Sequence, residues 1–303
     1  MTALAIRTQG LTKYYGDTAG IVDLDLEVEV GEVFGFLGPN GAGKSTTIRT
    51  LLHLLHPTSG TGEVLGMDIA KQSVEIRRRT GYLPGDLAMY DDMTAAQLFQ
   101  YFAALRDVNV TQRVEQLASR LQLDVHRKIG SYSTGNRQKA AIVQAFMHDP
   151  ELLILDEPTT GLDPLMQQEF FSMIDEVRDD GRTVFLSSHI LPEVERLADR
   201  VGIVREARLV TVESVANLRA KALRSIEIVF AEPIDPAPFG ALSEVKRLTP
   251  THAGRGLDLA VEGNLDGVMA LAGRHTIENI HSREGDLEEA FLAFYEGSEN
   301  SVS

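Results

Sequence analysis

Hydrophobic residues occupy alternate positions early in the chain and gather into short continuous runs further along it. Over residues 24–30 every second position is apolar, which predicts a strand with one buried face. The segment 32–37 is almost continuously apolar, as in a strand that is buried on both faces. It leads through a glycine-rich turn into a helical pattern over 44–55, which His56 and Pro57 end.

The middle of the chain has helical periodicity. Thr94 followed by Gln97 predicts a capping box at the start of a helix whose apolar positions recur over 98–105. Two further helices are predicted over 114–121 and 137–148.

Two very apolar strands are predicted next, over 152–155 and 183–186. The helix between them has defined ends, because Asp163 suits the N-cap, Pro164 suits the first turn and Gly181 follows the last turn. Strands that alternate with helices in this way are typical of a parallel α/β sheet.

Composition changes after about residue 215, where several prolines separate short strands. The predicted elements there are strands over 225–230, 257–261 and 277–281, a helix over 265–272 and a closing amphipathic helix over 286–295. We predict two domains: an α/β domain over 1–215, with a helical subdomain at about 91–140, and a small α+β domain over 220–303.

Composition and charge narrow the function classes. The 29 basic and 44 acidic residues give a net charge of −15, which disfavours binding to nucleic acid, whose phosphates require Lys and Arg. Cysteine is absent, so disulfides and cysteine-based catalytic or zinc sites are excluded. The N-terminus lacks the pattern of a signal peptide, and no apolar run approaches the length of about 20 residues that a membrane span needs. A role at a membrane would therefore require another chain to span it.

Residues 38–45 have the sequence GPNGAGKS, which fits the phosphate-loop pattern G-x-x-x-x-G-K-[ST] in full. A predicted strand precedes the loop and a predicted helix follows it, as the motif requires. Glycines allow backbone N–H groups to surround a polyphosphate at the N-terminus of the helix. Lys44 would reach the β- and γ-phosphates of ATP, and the Ser45 hydroxyl would bind Mg²⁺. The weaker alternative is a chance glycine-rich turn.

Two carboxylates and a histidine follow the apolar strands: Asp156, Glu157 and His189. In open α/β sheets, ligands bind beyond the carboxyl ends of the strands, so these side chains are expected at one edge. Asp156 would hold Mg²⁺, and Glu157 would orient or deprotonate the attacking water. Taken alone, each acid is also compatible with a solvated strand end, and a lone histidine with a surface position.

The segment 131–139, SYSTGNRQK, precedes the helix that leads to the carboxylate strand. It resembles the signature motif of the ATP-binding-cassette (ABC) ATPases. Ser133 and Gly135 agree with the common form L-S-G-G-Q, whereas its Leu, first Gly and Gln are replaced. Five motifs in the family's order extend the resemblance over about residues 4–215.

The resemblance implies further site residues. Tyr15 is similar to the aromatic residue that stacks on adenine, with Tyr14 as the alternative, and the segment 161–163 looks like the loop that crosses to a partner subunit. The implied nucleotide contacts are Tyr15, Gly38, Pro39, Asn40, Gly41, Ala42, Gly43, Lys44, Ser45, Thr46, Ser133, Thr134, Gly135 and Asp163. Glu157, His189 and Lys44 would be catalytic, and Ser45 and Asp156 would hold the metal.

The resemblance also implies an architecture and partners. The fold would be a P-loop NTPase cassette, with a parallel-sheet core, an antiparallel β subdomain and a helical subdomain. Two copies, expected as a homodimer, would enclose two ATP molecules, each between the phosphate loop of one copy and the signature of the other, with His189 at the γ-phosphate. Single-cassette exporter ATPases are similar in layout. They imply a separate transmembrane permease, efflux of a drug, antibiotic or lipid-like compound, and a place on the cytoplasmic face of the cell membrane.

One departure from the family follows the segment 81–84, GYLP. The family usually has Gln next, whereas Gly85 and Asp86 stand here. Gly85 has no side chain with which to bind Mg²⁺ or a water. Asp86 either reaches the site or is a solvated acid of the loop.

Two other functions compete with an exporter motor. A non-transport cassette ATPase that acts on ribosomes or DNA is disfavoured by the single cassette, the lack of sustained heptads and the acidic charge. A degenerate cassette that only binds nucleotide is disfavoured because the expected lysine, carboxylates and histidine are all present. The histidines of the C-terminal domain have no metal-ligand spacing and are expected to be structural or exposed.

Overall fold

The computed structural model describes residues 3–221 and 223–283. They belong to two compact units, the first ending at Val212 and the second beginning at Glu213. Elements of the first unit, in chain order, are β1 (Leu4–Tyr15), β2 (Thr18–Glu29), β3 (Val33–Leu37), α1 (Lys44–Leu51), β4 (Ser59–Val64), β5 (Met67–Asp68), α2 (Ser73–Arg79), β6 (Thr80–Leu83), α3 (Ala95–Arg106), α4 (Thr111–Arg120), α5 (Thr134–Phe146), β7 (Leu152–Asp156), α6 (Pro164–Asp179), β8 (Thr183–Ser188), α7 (Leu191–Leu197), β9 (Arg200–Arg205) and β10 (Arg208–Ser214). None of the helices in the described part of the chain is long and apolar enough to cross a membrane.

A six-stranded sheet with the order β10-β9-β3-β8-β7-β6 forms the centre of the first unit. The five strands from β9 to β6 run parallel to their neighbours, which confirms the predicted parallel α/β core. β3 and β7 are buried along their whole length, as their continuous apolar runs predict. Because β3, β8 and β7 are adjacent and parallel, their carboxyl ends meet at one edge of the sheet.

A second, antiparallel sheet has the order β2-β1-β4-β5. Burial alternates along β2 with the period of two that its sequence predicts. β4 was not predicted, because its first residues are Ser, Gly, Thr and Gly and have no apolar alternation. It forms a strand by pairing with β1, and its buried positions are Gly62 and Val64.

The helix boundaries test the predicted capping signals. The capping box of α3 is confirmed, since Gln97 N–H donates to Thr94 Oγ1 at 3.2 Å and Thr94 N–H donates to Gln97 Oε1 at 2.9 Å. The prediction that the first helix continues to residue 55 is wrong, because α1 ends at Leu51 and His53 adopts a left-handed φ of 52°.

The second unit contains α8 (Val215–Lys221), β11 (Arg224–Phe230), α9 (Ala237–Gly240), β12 (Val245–Thr251), β13 (Gly256–Val261), α10 (Asp266–Ala272) and β14 (Ile277–Arg283). From β11 onward the order is βαββαβ, and the sheet order β12-β13-β11-β14 is that of a ferredoxin-like fold. Alternate residues of β11, namely Ile226, Ile228 and Phe230, supply its core. The closing helix predicted over 286–295 lies outside the described residues.

His148, which follows α5, gives the first unit a pH-dependent stability. Burial lowers the pKa of His148 from 6.5 to about 4, and the positive charge of Arg106 adds to the lowering. Between these two values the unfolded chain binds more protons than the folded one, so stability falls as the pH falls from about 6.5 towards 4. We expect His148→Asn to lose this part of the pH dependence, measured as denaturant midpoints across that window. The exposed His126→Asn serves as the control, and equal pH profiles for the wild type and His148→Asn would contradict the expectation.

Candidate functional site

The loop between β3 and α1 is shaped by glycines with left-handed backbone. Gly41 has a φ of 81° and Gly43 a φ of 105°. A Cβ at Gly43 would lie 2.2 Å from the carbonyl oxygen of Gly20, so only glycine fits at this position. The chain therefore enters α1 with the free N–H groups of the first turn next to the loop.

The Lys44 ammonium is held inside this loop, with its side chain only 4 % exposed. Nζ donates to the carbonyl oxygens of Gly38 at 2.8 Å and Pro39 at 3.1 Å, and it lies 3.3 Å from Glu157 Oε1. These three oxygens stabilise a buried positive charge. A polyphosphate in the loop would offer this cation stronger acceptors than the two neutral carbonyls.

Asp156 is the last residue of β7 and is buried. Its Oδ1 accepts a hydrogen bond from Ser187 Oγ at 2.6 Å, whereas its Oδ2 is buried with no hydrogen-bond partner among the described residues. Leaving a carboxylate oxygen unpaired inside a protein is costly, and a bound cation would remove that cost. The residues at this position therefore fit a hard divalent cation such as Mg²⁺.

Glu157 turns the chain sharply after β7. Its φ of 49° is left-handed, which costs a residue with a side chain about 1–2 kcal/mol, and such strain concentrates at functional sites. The N–H of Glu157 donates to both the carbonyl oxygen and Oγ of Ser187, at 3.2 Å each. Its Oε1 lies 3.3 Å from His189 Nδ1 as well as 3.3 Å from Lys44 Nζ. Side chains that follow three different strands thus converge at one point.

Tyr15 contacts the helix that carries the phosphate loop. Its hydroxyl lies 3.3 Å from Thr46 Oγ1, and 46 % of the residue is exposed, so its ring is accessible. The described hydrogen bond of Tyr14, the alternative, involves its backbone N–H, which donates to Thr58 Oγ1 at 3.0 Å, and not its ring hydroxyl. The position of Tyr15 favours it over Tyr14 as an adenine-stacking residue. Ser45 is half-buried in the first turn of α1.

The signature segment forms the start of α5. Ser133 is the N-cap, and its Oγ accepts from Asn136 N–H at 3.3 Å, so the helix begins three residues before the predicted 137. Next to it, the carbonyl oxygen of Gly161 would lie 3.0 Å from a Cβ at Gly135. Asp163 caps α6, as predicted, by accepting from Leu165 and Met166 N–H at 3.1 Å. In the described part of the chain, Lys44, Glu157 and His189 form no hydrogen bond or ion pair with the signature residues 133–135.

The loop after β6 resolves the alternatives for Asp86. Its carboxylate forms an ion pair with Arg49 Nη2 at 3.0 Å, and its side chain is 93 % exposed, so it is a solvated acid of the loop. The hydrogen bond raises the pKa of Arg49. Gly85 is the residue that lies close to the site, because a Cβ there would be 3.2 Å from the unpaired Oδ2 of Asp156.

Comparison with known proteins decides the family. The sequence profile named ABC transporter matches residues 21–160. The bacitracin transport ATP-binding protein BcrA of Bacillus licheniformis is 37% identical over 230 residues, which cover 75% of this chain and 75% of that protein. The chain belongs to the ABC transporter family. The Nod factor export ATP-binding protein I of Cupriavidus metallidurans is 30% identical over 308 residues, which cover 96% of this chain and 97% of that protein.

A solved structure of the ATP-binding subunit of an ABC transporter has the same fold. It superposes with a TM-score of 0.67 at 29% sequence identity, over 71% of this chain and 92% of that one. As a family member, this chain is an ABC ATPase that binds ATP and couples its hydrolysis to transport. The fold and the activity expected from the motifs are thereby confirmed.

Ser187 is a functional residue that the motifs missed. It donates to Asp156 Oδ1 and accepts from the N–H of Glu157, and so supports both carboxylates. Its place follows from the parallel register that pairs Asp156 with Ser187 across β7 and β8. No sequence motif reveals this register. The signal that the sequence does contain is a polar residue near the end of a strand that is otherwise apolar.

Proposed function

We propose that this chain is the ATP-hydrolysing motor of an exporter whose separate transmembrane permease carries a drug, an antibiotic or a lipid-like compound. The convergence of Lys44, Glu157 and His189 at one sheet edge carries the proposal. Nod factor export, the role in the name of one relative, supports export as the direction, and bacitracin transport, the role in the name of another, supports an antibiotic as the cargo. The chain would then act at the cytoplasmic face of the cell membrane, bound to the permease.

Nucleotide binding begins with the phosphate loop. The β- and γ-phosphates take Lys44 away from its carbonyl acceptors, and the free backbone N–H groups of the loop and of the first turn of α1 donate to the remaining phosphate oxygens. Tyr15 stacks on the adenine ring. Ser45 and Asp156 would hold Mg²⁺, which when bound neutralises phosphate charge and orients the β- and γ-phosphates.

Hydrolysis uses the groups that follow β7 and β8. Glu157 orients the attacking water and accepts its proton, while His189 holds the γ-phosphate. The water oxygen bonds to the γ-phosphorus as the bond from that phosphorus to the bridging oxygen breaks and ADP leaves. The proton that Glu157 accepted then passes to the released phosphate. Lys44, freed from Glu157 by the nucleotide, stabilises the negative charge that develops on the γ-phosphate.

A second copy of this chain completes each site. The start of α5, with Ser133, Thr134 and Gly135, has an N-terminal helix dipole and free N–H groups suited to a phosphate. Among the residues that the structure describes, this segment makes no hydrogen bond or ion pair with Lys44, Glu157 or His189 of the same chain. We propose that it meets the γ-phosphate on a partner copy, with Asp163 crossing beside it.

Magnesium dependence tests the assignment of Asp156. We expect Asp156→Asn to weaken the apparent affinity for Mg²⁺ by about tenfold to a hundredfold, because the unpaired anionic oxygen is lost. Steady-state ATP hydrolysis over a Mg²⁺ titration measures this. Asp149→Asn, just before the opposite end of β7, is the matched control. Unchanged Mg²⁺ dependence in Asp156→Asn would contradict the assignment.

Export itself is tested in proteoliposomes that hold this chain with the membrane chain that copurifies with it. ATP-driven movement of a drug or lipid probe, lost in Lys44→Ala, is the expected result. Hydrolysis without movement of any probe would leave the ATPase assignment standing and contradict the exporter.

A further inference from the structure

A buried glutamate outside the predicted motifs connects the two loops that carry the reacting groups. Glu193 lies in the first turn of α7 and is only 9 % exposed. Thr159 Oγ1, from the loop after β7, donates to its Oε1 at 2.6 Å. Ser188 Oγ, at the end of β8, donates to its Oε2 at 2.9 Å. The two oxygens of one carboxylate therefore hold two different loops.

The Ser188 hydroxyl shows what this contact does next to His189. A hydroxyl has one proton, and Ser188 directs it to the Glu193 carboxylate at 2.9 Å, which is the closer and stronger acceptor than the Ile190 carbonyl oxygen at 3.4 Å. The oxygen lone pairs then remain available, and one accepts the N–H of Ile190 at 2.9 Å. The backbone on both sides of His189 is thus held by a hydroxyl whose orientation Glu193 sets.

Thr159 lies close to Glu157 in the sequence, just as Ser188 lies next to His189. It lies two residues after Glu157, in a turn where Thr160 N–H donates to the Glu157 carbonyl oxygen at 3.2 Å. The same loop is held to the signature helix, because Gln138 Nε2 of α5 donates to the Pro158 carbonyl oxygen at 2.7 Å. Both bonds are buried, so water does not replace them.

We propose that Glu193 is a positioning residue that fixes the catalytic carboxylate of Glu157 relative to the ring of His189. These groups are 3.3 Å apart, and each is one or two residues from a hydroxyl that Glu193 binds. A carboxylate suits this role because it only accepts hydrogen bonds, so both hydroxyls must donate to it. The proposal rests on the proposed catalytic function of Glu157 and His189.

The first test replaces the carboxylate with an amide of the same shape. In Glu193→Gln one hydroxyl must face an NH₂ group and turn its proton elsewhere. We expect kcat for ATP hydrolysis to fall by about tenfold to a hundredfold through misplacement of the reacting groups, with KM for ATP almost unchanged because the phosphate loop is intact. Thr159→Val and Ser188→Ala, which each remove one donor, are expected to show part of the fall. Arg196→Gln, an exposed residue of the same helix paired with Asp175, is the control expected to keep the wild-type rate.

A double-mutant cycle separates positioning from a general loss of stability. In a His189→Ala background, measured in single turnovers, Glu193→Gln is expected to cause almost no further fall, because the placement of Glu157 relative to the histidine ring no longer matters once the ring is absent. The same fold-loss with and without His189, or a lower melting temperature with an unchanged kcat, would overturn the proposal. Wild type and Glu157→Gln are measured alongside. Equal rates for those two would instead overturn the proposed function.

Discussion

Glu157→Gln is expected to slow ATP hydrolysis by about a hundredfold to ten-thousandfold, the range for loss of a general base, while ATP binding persists. The amide keeps the shape of the side chain but cannot accept the proton of the attacking water. Lys44 keeps its two carbonyl acceptors in the variant, at 2.8 and 3.1 Å, so the loop retains its form. In the variant, Lys44 also has no ion pair with residue 157 to break when the γ-phosphate binds.

The same variant is expected to accumulate an ATP-bound dimer, since binding closes the two copies and slow hydrolysis delays reopening. Light scattering after size exclusion, with and without Mg-ATP, measures the population. Glu151→Gln, immediately before the first residue of β7, is the matched control, because it loses only an exposed ion pair with Arg79. A turnover rate in Glu157→Gln equal to that of Glu151→Gln would assign the base to another residue.

The proposed roles of Lys44, Glu157 and His189 imply a connection between ATP binding and hydrolysis. Glu157 Oε1 lies 3.3 Å from both Lys44 Nζ and His189 Nδ1, and these contacts would partly neutralise the proposed base before a phosphate binds. A bound γ-phosphate would compete with Glu157 for the Lys44 ammonium and the His189 ring. With Glu157 as the proposed base, ATP binding would free its carboxylate at the moment when the attacking water needs it.

Local patterns in the sequence predicted the elements that position the site. β3 and β7 are continuous apolar runs, and the glycines of the loop 38–45 are required by its backbone, so both are visible without tertiary information. The caps at Thr94 and Asp163 were equally local. The chemistry of the phosphate loop and of the strand-end carboxylates could therefore be inferred before any fold was known.

The parts that were missed depend on pairing across the chain. Ser187 and Glu193 act through partners 31 and 34 residues away, and only the parallel register and the position of α7 bring them there. Asp86 was ambiguous because its partner, Arg49, is set by the approach of a loop to α1. β12, with Pro250 and weak alternation, is a strand only because β13 pairs with it. Tertiary context overrides local propensity at each of these positions.

Gly43→Ala is expected to reduce ATP affinity by about a hundredfold or more. The substitution must displace the phosphate loop, and a shift of about 1 Å in a positioning element can cost about a hundredfold. The new Cβ would lie 2.2 Å from the carbonyl oxygen of Gly20, a backbone atom of β2 that cannot rotate away. Its φ of 105° is, in addition, a conformation that residues with a side chain rarely adopt. Either β2 or the loop must move, and a shift of the loop displaces the N–H groups that are proposed to bind the phosphates.

Gly41→Ala, in the same loop, separates steric displacement from backbone strain. Its φ of 81° is also left-handed, but nothing lies within 4 Å of the new Cβ. It should lose only the conformational cost of about 1–2 kcal/mol and keep ATP affinity to within about tenfold. Titration with a fluorescent ATP analogue compares the two variants, and thermal unfolding confirms that both are folded. Equal losses would show that strain alone limits the loop, whereas a loss confined to Gly43→Ala would show that its contact with β2 holds the N–H groups where the phosphates bind.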